Sequence, residues 1–235
     1  MIYKAYTVVF EGVEARSIEV QCALSAGLPG FSIVGLPNKA VSEARDRVRS
    51  ALASMSIALP SKRITVNLSP ADLPKDGSHF DLPIALALLA AIGIIAQDAC
   101  ENTVSLGELS LDGALVPVRG ALPAAVTAAA SDRLLICPTA CGPEAAWVEN
   151  AQVIGADSLW NIIQHFNGQK PIPAAKAGNI ETPIILGDLC DIKGQERGKR
   201  ALEIAVPVAT TSFLWAHPGV ASRCWQNGAW ASCRR

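Results

Sequence analysis

The segment 74–81, PKDGSHFD, gathers the groups in this 235-residue chain best suited to chemistry. Asp76, His79 and Asp81 place two carboxylates and an imidazole close together. Such a set at a helix start could ligate a divalent metal or move a proton in hydrolysis. A plainer use needs only local geometry. Asp76 and Asp81 tie down the loop and cap the helix, and His79 packs against it. That plainer use is the reading adopted, so no catalytic residue and no metal ligand is assigned. Ser78 and His79 are adjacent and do not face each other, so they form no nucleophile–base pair.

A second group could meet phosphates: Arg45, Arg47, Arg49, Lys62 and Arg63. Glu43 and Asp46 are interleaved with the arginines, which favours a solvated helix face over a nucleic-acid patch. An autonomous DNA-binding module is the alternative. The seven cysteines are Cys22, Cys100, Cys137, Cys141, Cys190, Cys224 and Cys233. They contain no Cys-x-x-Cys pair. Cys137 and Cys141 have no second pair or histidine at a zinc-site interval, so buried or partly buried thiols in a reducing cytosol are expected.

The elements that must position these groups follow from hydrophobic pattern. The chain has 20 Lys+Arg against 21 Asp+Glu, a net charge of −1, 50% apolar residues and a mean hydropathy of +0.30. This excludes a disordered chain, a collagen, a disulfide scaffold and a protein held to nucleic acid by overall charge. With aromatics at 5%, the core must rest on Ala, Val, Ile and Leu. Strands are expected over 4–10, 18–24 and 31–34, forming an antiparallel start. A helix after Pro37-Asn38 carries the stripe Val41, Ala44, Val48, Leu52 and Met55. A strand over 64–68 leads into the turn-rich loop 69–77. The apolar run 82–96, broken by Pro83 and Gly93, falls short of the roughly 20 residues that span a bilayer. It reads as a buried core helix. The N-terminus lacks a cationic start before a long apolar stretch, so no signal peptide is expected; the chain reads as cytoplasmic, with no membrane partner.

A strand over 103–109, the turn Asp112-Gly113 and a return strand over 114–118 come next. A small-residue helix spans 121–130. Strands over 133–137 and 152–154 alternate with helices over 143–149 and 158–166, which suggests parallel pairing. Residues 168–187 read as a proline-rich linker. A helix face of Leu202, Ala205 and Val206 is expected near the end of 188–206. Residues 207–235 have no recognisable period, yet carry three of the five tryptophans and two of the seven cysteines. They are expected to be disordered, as a reading-frame shift would leave them.

Three stretches together carry a resemblance: GLPGFSIVGLPNKAVSEARDRVRSAL (27–52), ITVNLSPADLPKDGSHFDLPIALALLAA (64–91) and GELSLDGALVPVRGALPAA (107–125). They resemble the N-terminal domain of the magnesium-chelatase-like AAA+ ATPases of YifB/ComM type. DIKGQERGKRALEIA (191–205) resembles the opening of that family's ATPase module. The resemblance implies an α/β (α+β) domain over 1–167 of ribosomal-protein-S5-domain-2-like or Lon-peptidase-like fold, followed by a truncated AAA+ stub. In the Lon peptidase a serine after the Pro-Lys-Asp-Gly loop is activated by a lysine of lowered pKa. Aligned on that loop, the serine position falls on His79 and the lysine position on Leu122. Serine-peptidase activity is therefore not expected.

The family's motor needs a Gly-x-x-x-x-Gly-Lys-Ser/Thr loop for ATP and Mg²⁺. The sequence contains none, and Gly198-Lys199-Arg200 lacks the hydroxyl and the preceding glycine pattern. By resemblance, Ile192, Gly194 and Gln195 fall in the segment near the adenine ring, but no useful nucleotide affinity is expected and no cofactor is assigned to this chain. Full-length relatives are implied to be homo-hexameric, DNA-acting ATPases, linked to branch migration in natural transformation. This chain is expected to keep an interaction or positioning role.

Overall fold

The computed structural model describes residues 2–12, 14–179, 194 and 196–205. The chain divides into two compact units, Met1–Asn179 and Ile180–Arg235.

In the first unit, β1 (Ile2–Glu11) and β2 (Glu14–Ser25) form a long antiparallel hairpin. Alternation along β2 buries Ile18, Val20 and Cys22 on one face and leaves Glu19 and Gln21 on the other. β3 (Gly30–Val34), α1 (Lys39–Ser54) and β4 (Arg63–Ser69) follow. Here the expected antiparallel start needs correction. β3 does run opposite to β2, but it does not pair with it. β4 lies between them, antiparallel to β2 and parallel to β3. The intervening helix supplies the crossover length that parallel pairing requires. Asn38 caps α1, its side chain accepting from the Val41 amide, and the helix buries Val41, Ala44, Val48, Ala51 and Leu52.

α2 (Asp81–Ala91) is buried at every residue. It packs against β1, β2 and α1, so a helix without an amphipathic face is what its position demands. α3 (Gln97–Glu101) leads to β5 (Thr103–Ser105). The single strand expected over 103–109 is in fact two. After β5 the chain leaves the main sheet, and β6 (Glu108–Leu109) pairs with β7 (Leu115–Val116). The break sits at Gly107. Its amide donates to the His79 carbonyl (3.1 Å) and its carbonyl accepts from the Leu82 amide (3.0 Å), which draws the chain onto the start of α2.

α4 (Ala121–Ala130), β8 (Leu134–Pro138), α5 (Gly142–Ala145), β9 (Val153–Ala156) and α6 (Leu159–Phe166) complete the unit. The main sheet has the order β3-β4-β2-β1-β5-β8-β9 and is mostly parallel, so the fold is mixed α/β. One apolar cluster joins α1, α2 and α6 to one face of the sheet. A second joins α4 and α5 to the other through Val8, Val104, Leu135, Cys137 and Val153.

The expected linker begins inside this unit. The Ala175 amide donates to the Val153 carbonyl (2.8 Å) and the Gly178 amide to that of Pro143 (3.0 Å). Trp147 Nε1 donates to the Gly178 carbonyl (2.8 Å). The prolines keep this segment extended, and an extended segment can lie along the β9 edge. In the second unit the described element is α7 (Glu196–Ala205). The expected face of Leu202, Ala205 and Val206, residues 207–235, and Cys190, Cys224 and Cys233 lie outside the described residues and side chains. No helix among the described residues is long and apolar enough to cross a membrane.

Candidate functional site

The loop after β4 is built around an inward-turned lysine. Lys75 is fully buried, and its Nζ donates to the Pro70 carbonyl. Burial lowers its pKa. Its backbone bridges to Pro37, and the Asn38 amide donates to the Lys75 carbonyl (3.1 Å). Asp76 then accepts from the Asn38 side chain, tying the loop to the start of α1. Gly77 turns the chain with φ +106°, and a Cβ there would come within 2.7 Å of His79 Nδ1. Only glycine allows both the turn and the close approach of the ring.

His79 is 5% exposed. Its Nε2 lies 2.9 Å from the Val8 carbonyl, and a carbonyl only accepts, so Nε2 carries the proton. Phe10 and Phe80 flank the ring at 5.2 and 4.5 Å. Burial lowers the imidazole pKa, partly offset by the Val8 bond and Asp76. His79 is thus a neutral side chain that holds the α2 start against β1.

Asp81 departs from the expected cap. It is the first residue of α2, and the cap position is occupied by Phe80, without a side-chain bond. The Asp81 carboxylate is 0% exposed and takes two bonds from Arg47, Nε to Oδ2 at 2.6 Å and Nη2 to Oδ1 at 2.9 Å. The Leu109 amide adds a third at 3.1 Å. Burial pushes the Asp81 carboxyl up from its ordinary value, and the guanidinium and the amide pull it back. Arg47 also donates to the Ala40 carbonyl (3.0 Å). It therefore does not belong to a solvated helix face. It locks α1, α2 and the β6–β7 hairpin together.

The three candidate ligands are accordingly dispersed: Asp76 onto α1, His79 onto β1 and Asp81 onto Arg47. Among the described residues no group of three or more His, Cys, Asp or Glu side chains could hold a metal ion. Cys22, Cys100 and Cys137 are buried thiols pushed up to about 12, so they are not thiolates at neutral pH.

What the fold does bring together is a groove of about 660 Å³ between the loop and the end of the β7 segment. Pro74, Asp76, Gly77, Ser78 and His79 line one wall, Pro117, Val118 and Arg119 the other, with Val9 and Phe10 between. The first wall holds His79, the position that the resemblance aligns with the peptidase serine, and the second leads to Leu122, the position aligned with its lysine. Lysine is absent from the lining, since Lys75 points under Pro70 and the aligned position is Leu122. The exposed Arg119 supplies the groove's cation. Sequence reasoning missed Arg119 and placed Arg47 on a solvated helix face rather than in a buried pair. Helical spacing put Arg47 off the apolar stripe, and only its distant partner Asp81 reveals its role. Arg119 had a signal, its place beside the aligned strand end.

Among the described residues, Gly198-Lys199-Arg200 does not fit ATP and Mg²⁺. Gly198-Lys199-Arg200 lies within α7, offers no hydroxyl for the metal, and has Lys199 Nζ 3.3 Å from Glu196 Oε1, a carboxylate where phosphate would be. Gly194 takes a left-handed backbone (φ +67°), while Ile192 and Gln195 lie outside the described residues.

Comparison with known proteins gives consistent results. The family model described as subunit ChlI of Mg-chelatase matches residues 18–140, which include Arg47, Asp81 and both walls of the groove. Competence protein ComM of Haemophilus influenzae is 42% identical over 213 residues, 88% of this chain and 42% of that protein. YifB of Escherichia coli is 40% identical over 208 residues, 88% of this chain and 41% of its own length. A Mycobacterium tuberculosis protein is 38% identical over 219 residues, 92% of this chain and 43% of its own length. The chain thus spans about two fifths of the length of these relatives.

Proposed function

The chain belongs to the ComM/YifB-type family related to the Mg-chelatase ChlI subunit, and from that premise we propose that its first unit is a non-proteolytic interaction module of an ATP-driven, DNA-acting motor. One observation carries the reading. Where a Lon-type peptidase would hold its serine stands His79, neutral and bonded through Nε2 to the Val8 carbonyl. Where it would hold its lysine stands Leu122. A proton acceptor without an adjacent nucleophile, and a nucleophile position filled by a clamped imidazole, supply no route to an acyl-enzyme. The groove keeps a concave shape, an apolar floor and a cation, which suit it to holding a segment of a partner.

On this reading ATP and Mg²⁺ belong to the longer relatives, as does assembly into a homo-hexamer, and the chain works in a reducing cytoplasm where buried thiols stay free. The hydrolase alternative built on Asp76, His79 and Asp81 loses support because the three side chains point to different partners.

The test is direct. The purified 235-residue chain is incubated with casein, short fluorogenic peptides and a p-nitrophenyl ester. No turnover above the buffer rate is expected. Peptide or ester hydrolysis that disappears in His79→Ala would overturn the reading.

A further inference from the structure

The main sheet ends in two different ways. At β9 the edge is occupied: Ala174 bridges to Ile154, and the Ala175 amide donates to the Val153 carbonyl (2.8 Å). At β3 the edge is bare. Gly30–Val34 pairs with β4 on one side and, among the described residues, with no strand on the other. An open strand edge is a template for another strand, and natural proteins guard it with a lysine, a proline or a bulge. β3 has none of these. Residues 20–38 carry no charge, and the nearest prolines, Pro29 and Pro37, stand outside the strand. Its register with β4 runs unbroken from Gly30 opposite Arg63 to Val34 opposite Asn67.

The edge is also apolar. Leu28 is 89% exposed, Val34 44% and Leu36 60%. Leu36 holds a left-handed backbone (φ +56°), which a leucine adopts only at a cost. Phe31 and Ile33 turn toward the helical layer, so Gly30, Ser32 and Val34 lie on the other face of the sheet. This pattern is complementary to itself. Two β3 strands placed antiparallel about a two-fold axis through Ser32 set Ser32 opposite Ser32, Phe31 opposite Ile33 and Gly30 opposite Val34. The space that Gly30 leaves receives the Val34 side chain. Leu28, before the strand, comes level with Leu36, after it. No charge is stranded. Arg63 is the cation on the neighbouring strand, and strand spacing and rise put the two copies of it about 20 Å apart, beyond the screening length of about 8 Å at physiological salt.

We propose that β3 pairs with β3 of a second copy of this chain, joining two sheets into one across a two-fold axis. A strand of an unrelated protein would need the same uncharged, apolar pattern, whereas a second copy carries it by necessity. The occupied β9 edge limits the assembly to two, because each described sheet has one edge to offer. The contact is isologous, unlike the head-to-tail contacts of a closed ring. The inference goes beyond the interaction-module reading, which concerns the groove beside His79. Peptide hydrolysis would overturn that reading and leave this one standing, and a chain that stays monomeric would do the reverse.

The experiment is sedimentation velocity of the 235-residue chain from about 2 to about 200 μM. A short strand and three apolar side chains make a small interface, so a monomer–dimer equilibrium within that range is expected. Ser32→Lys sets like charges directly opposite each other and should raise the dissociation constant at least about fivefold. Leu36→Asn removes apolar contact on both sides of the axis while suiting the left-handed backbone. It should raise the constant about tenfold with no loss of melting temperature, which separates a lost contact from a lost fold. Ser32→Cys should crosslink two copies under mild oxidation, beyond any crosslinking of the parent chain, since directly opposite residues hold their Cβ atoms about 4.5–5.5 Å apart. Trp160→Ser, at an exposed aromatic on α6 beside β9, should change nothing. A monomer throughout the range, a dimer that Ser32→Lys and Leu36→Asn leave unchanged, a Ser32→Cys chain that does not crosslink, or species larger than a dimer would each overturn the proposal.

Discussion

Asp81 and Arg47 show how one buried pair can serve three elements. The carboxylate is fully enclosed, and its three bonds come from α1 and from the first residues after Gly107. Arg47→Ala leaves an enclosed carboxylate without its cation and should cost about 3–5 kcal/mol, and Asp81→Ala, which leaves a guanidinium with some contact to water, should cost less. The apolar double variant Arg47→Met/Asp81→Leu should recover much of that, because it strands no charge. Urea denaturation midpoints of the three variants check both statements. His79 makes a second prediction. The folded state holds it neutral, while the unfolded chain protonates it near its ordinary value of about 6.5. Unfolding therefore takes up a proton as pH falls, so stability is full above about pH 6.5 and declines as pH drops toward the folded value. His79→Gln keeps an N–H for the Val8 carbonyl but does not titrate, and thermal melts between about pH 7.5 and 5.5 should show its slope flatter than that of the wild type.

The readable side chains were those whose role is local. Asp76 tying down its loop and His79 packing at the helix start could both be anticipated from PKDGSHFD. The partners of Asp81 could not. A carboxylate before an apolar run looks like a cap, and nothing nearby announces an arginine 34 residues earlier in the chain.

Among the elements, α2 was legible because an uninterrupted apolar run has nowhere to go but the interior. The same burial predicts a cost: Leu88→Ala should destabilise by about 2–5 kcal/mol, measured by chemical denaturation. β2 and α1 followed from periodicity, β1 and α4 from composition. The placement of β4 between β2 and β3 did not, because strand order depends on contacts remote in sequence. Gly35 marks the tightest point of that arrangement. It has φ +104°, and a Cβ would lie 2.2 Å from the Leu68 carbonyl oxygen on β4. Since backbone cannot yield as a side-chain tip can, Gly35→Ala should lower the melting temperature by several degrees and push apart β3 and β4. The split of β5 from β6 was hidden for a similar reason, since Gly107 reads as an ordinary strand glycine until His79 and Leu82 claim its amide and carbonyl.

For the molecule as a whole, the family and its mixed α/β class were visible in three motifs spread over the first unit, whereas the boundary of that unit was not. Proline-rich composition suggests a free linker from residue 168, yet Ala175 and Gly178 are bonded to the sheet and to α5, and Trp147 holds Gly178. A fragment ending at residue 179 should melt at the temperature of the whole chain. One ending at 167 should melt earlier, by about 2–4 °C for each 1 kcal/mol lost at this domain size.

Because Arg47 is keyed into Asp81, α1 cannot roll about its axis. It bears Arg49 two residues beyond the key, and its first turn is pinned through Asn38 to Asp76. The helix is therefore a rigid lever. A tug on its far end is delivered as torque to the Asp76 wall of the groove rather than absorbed along the way.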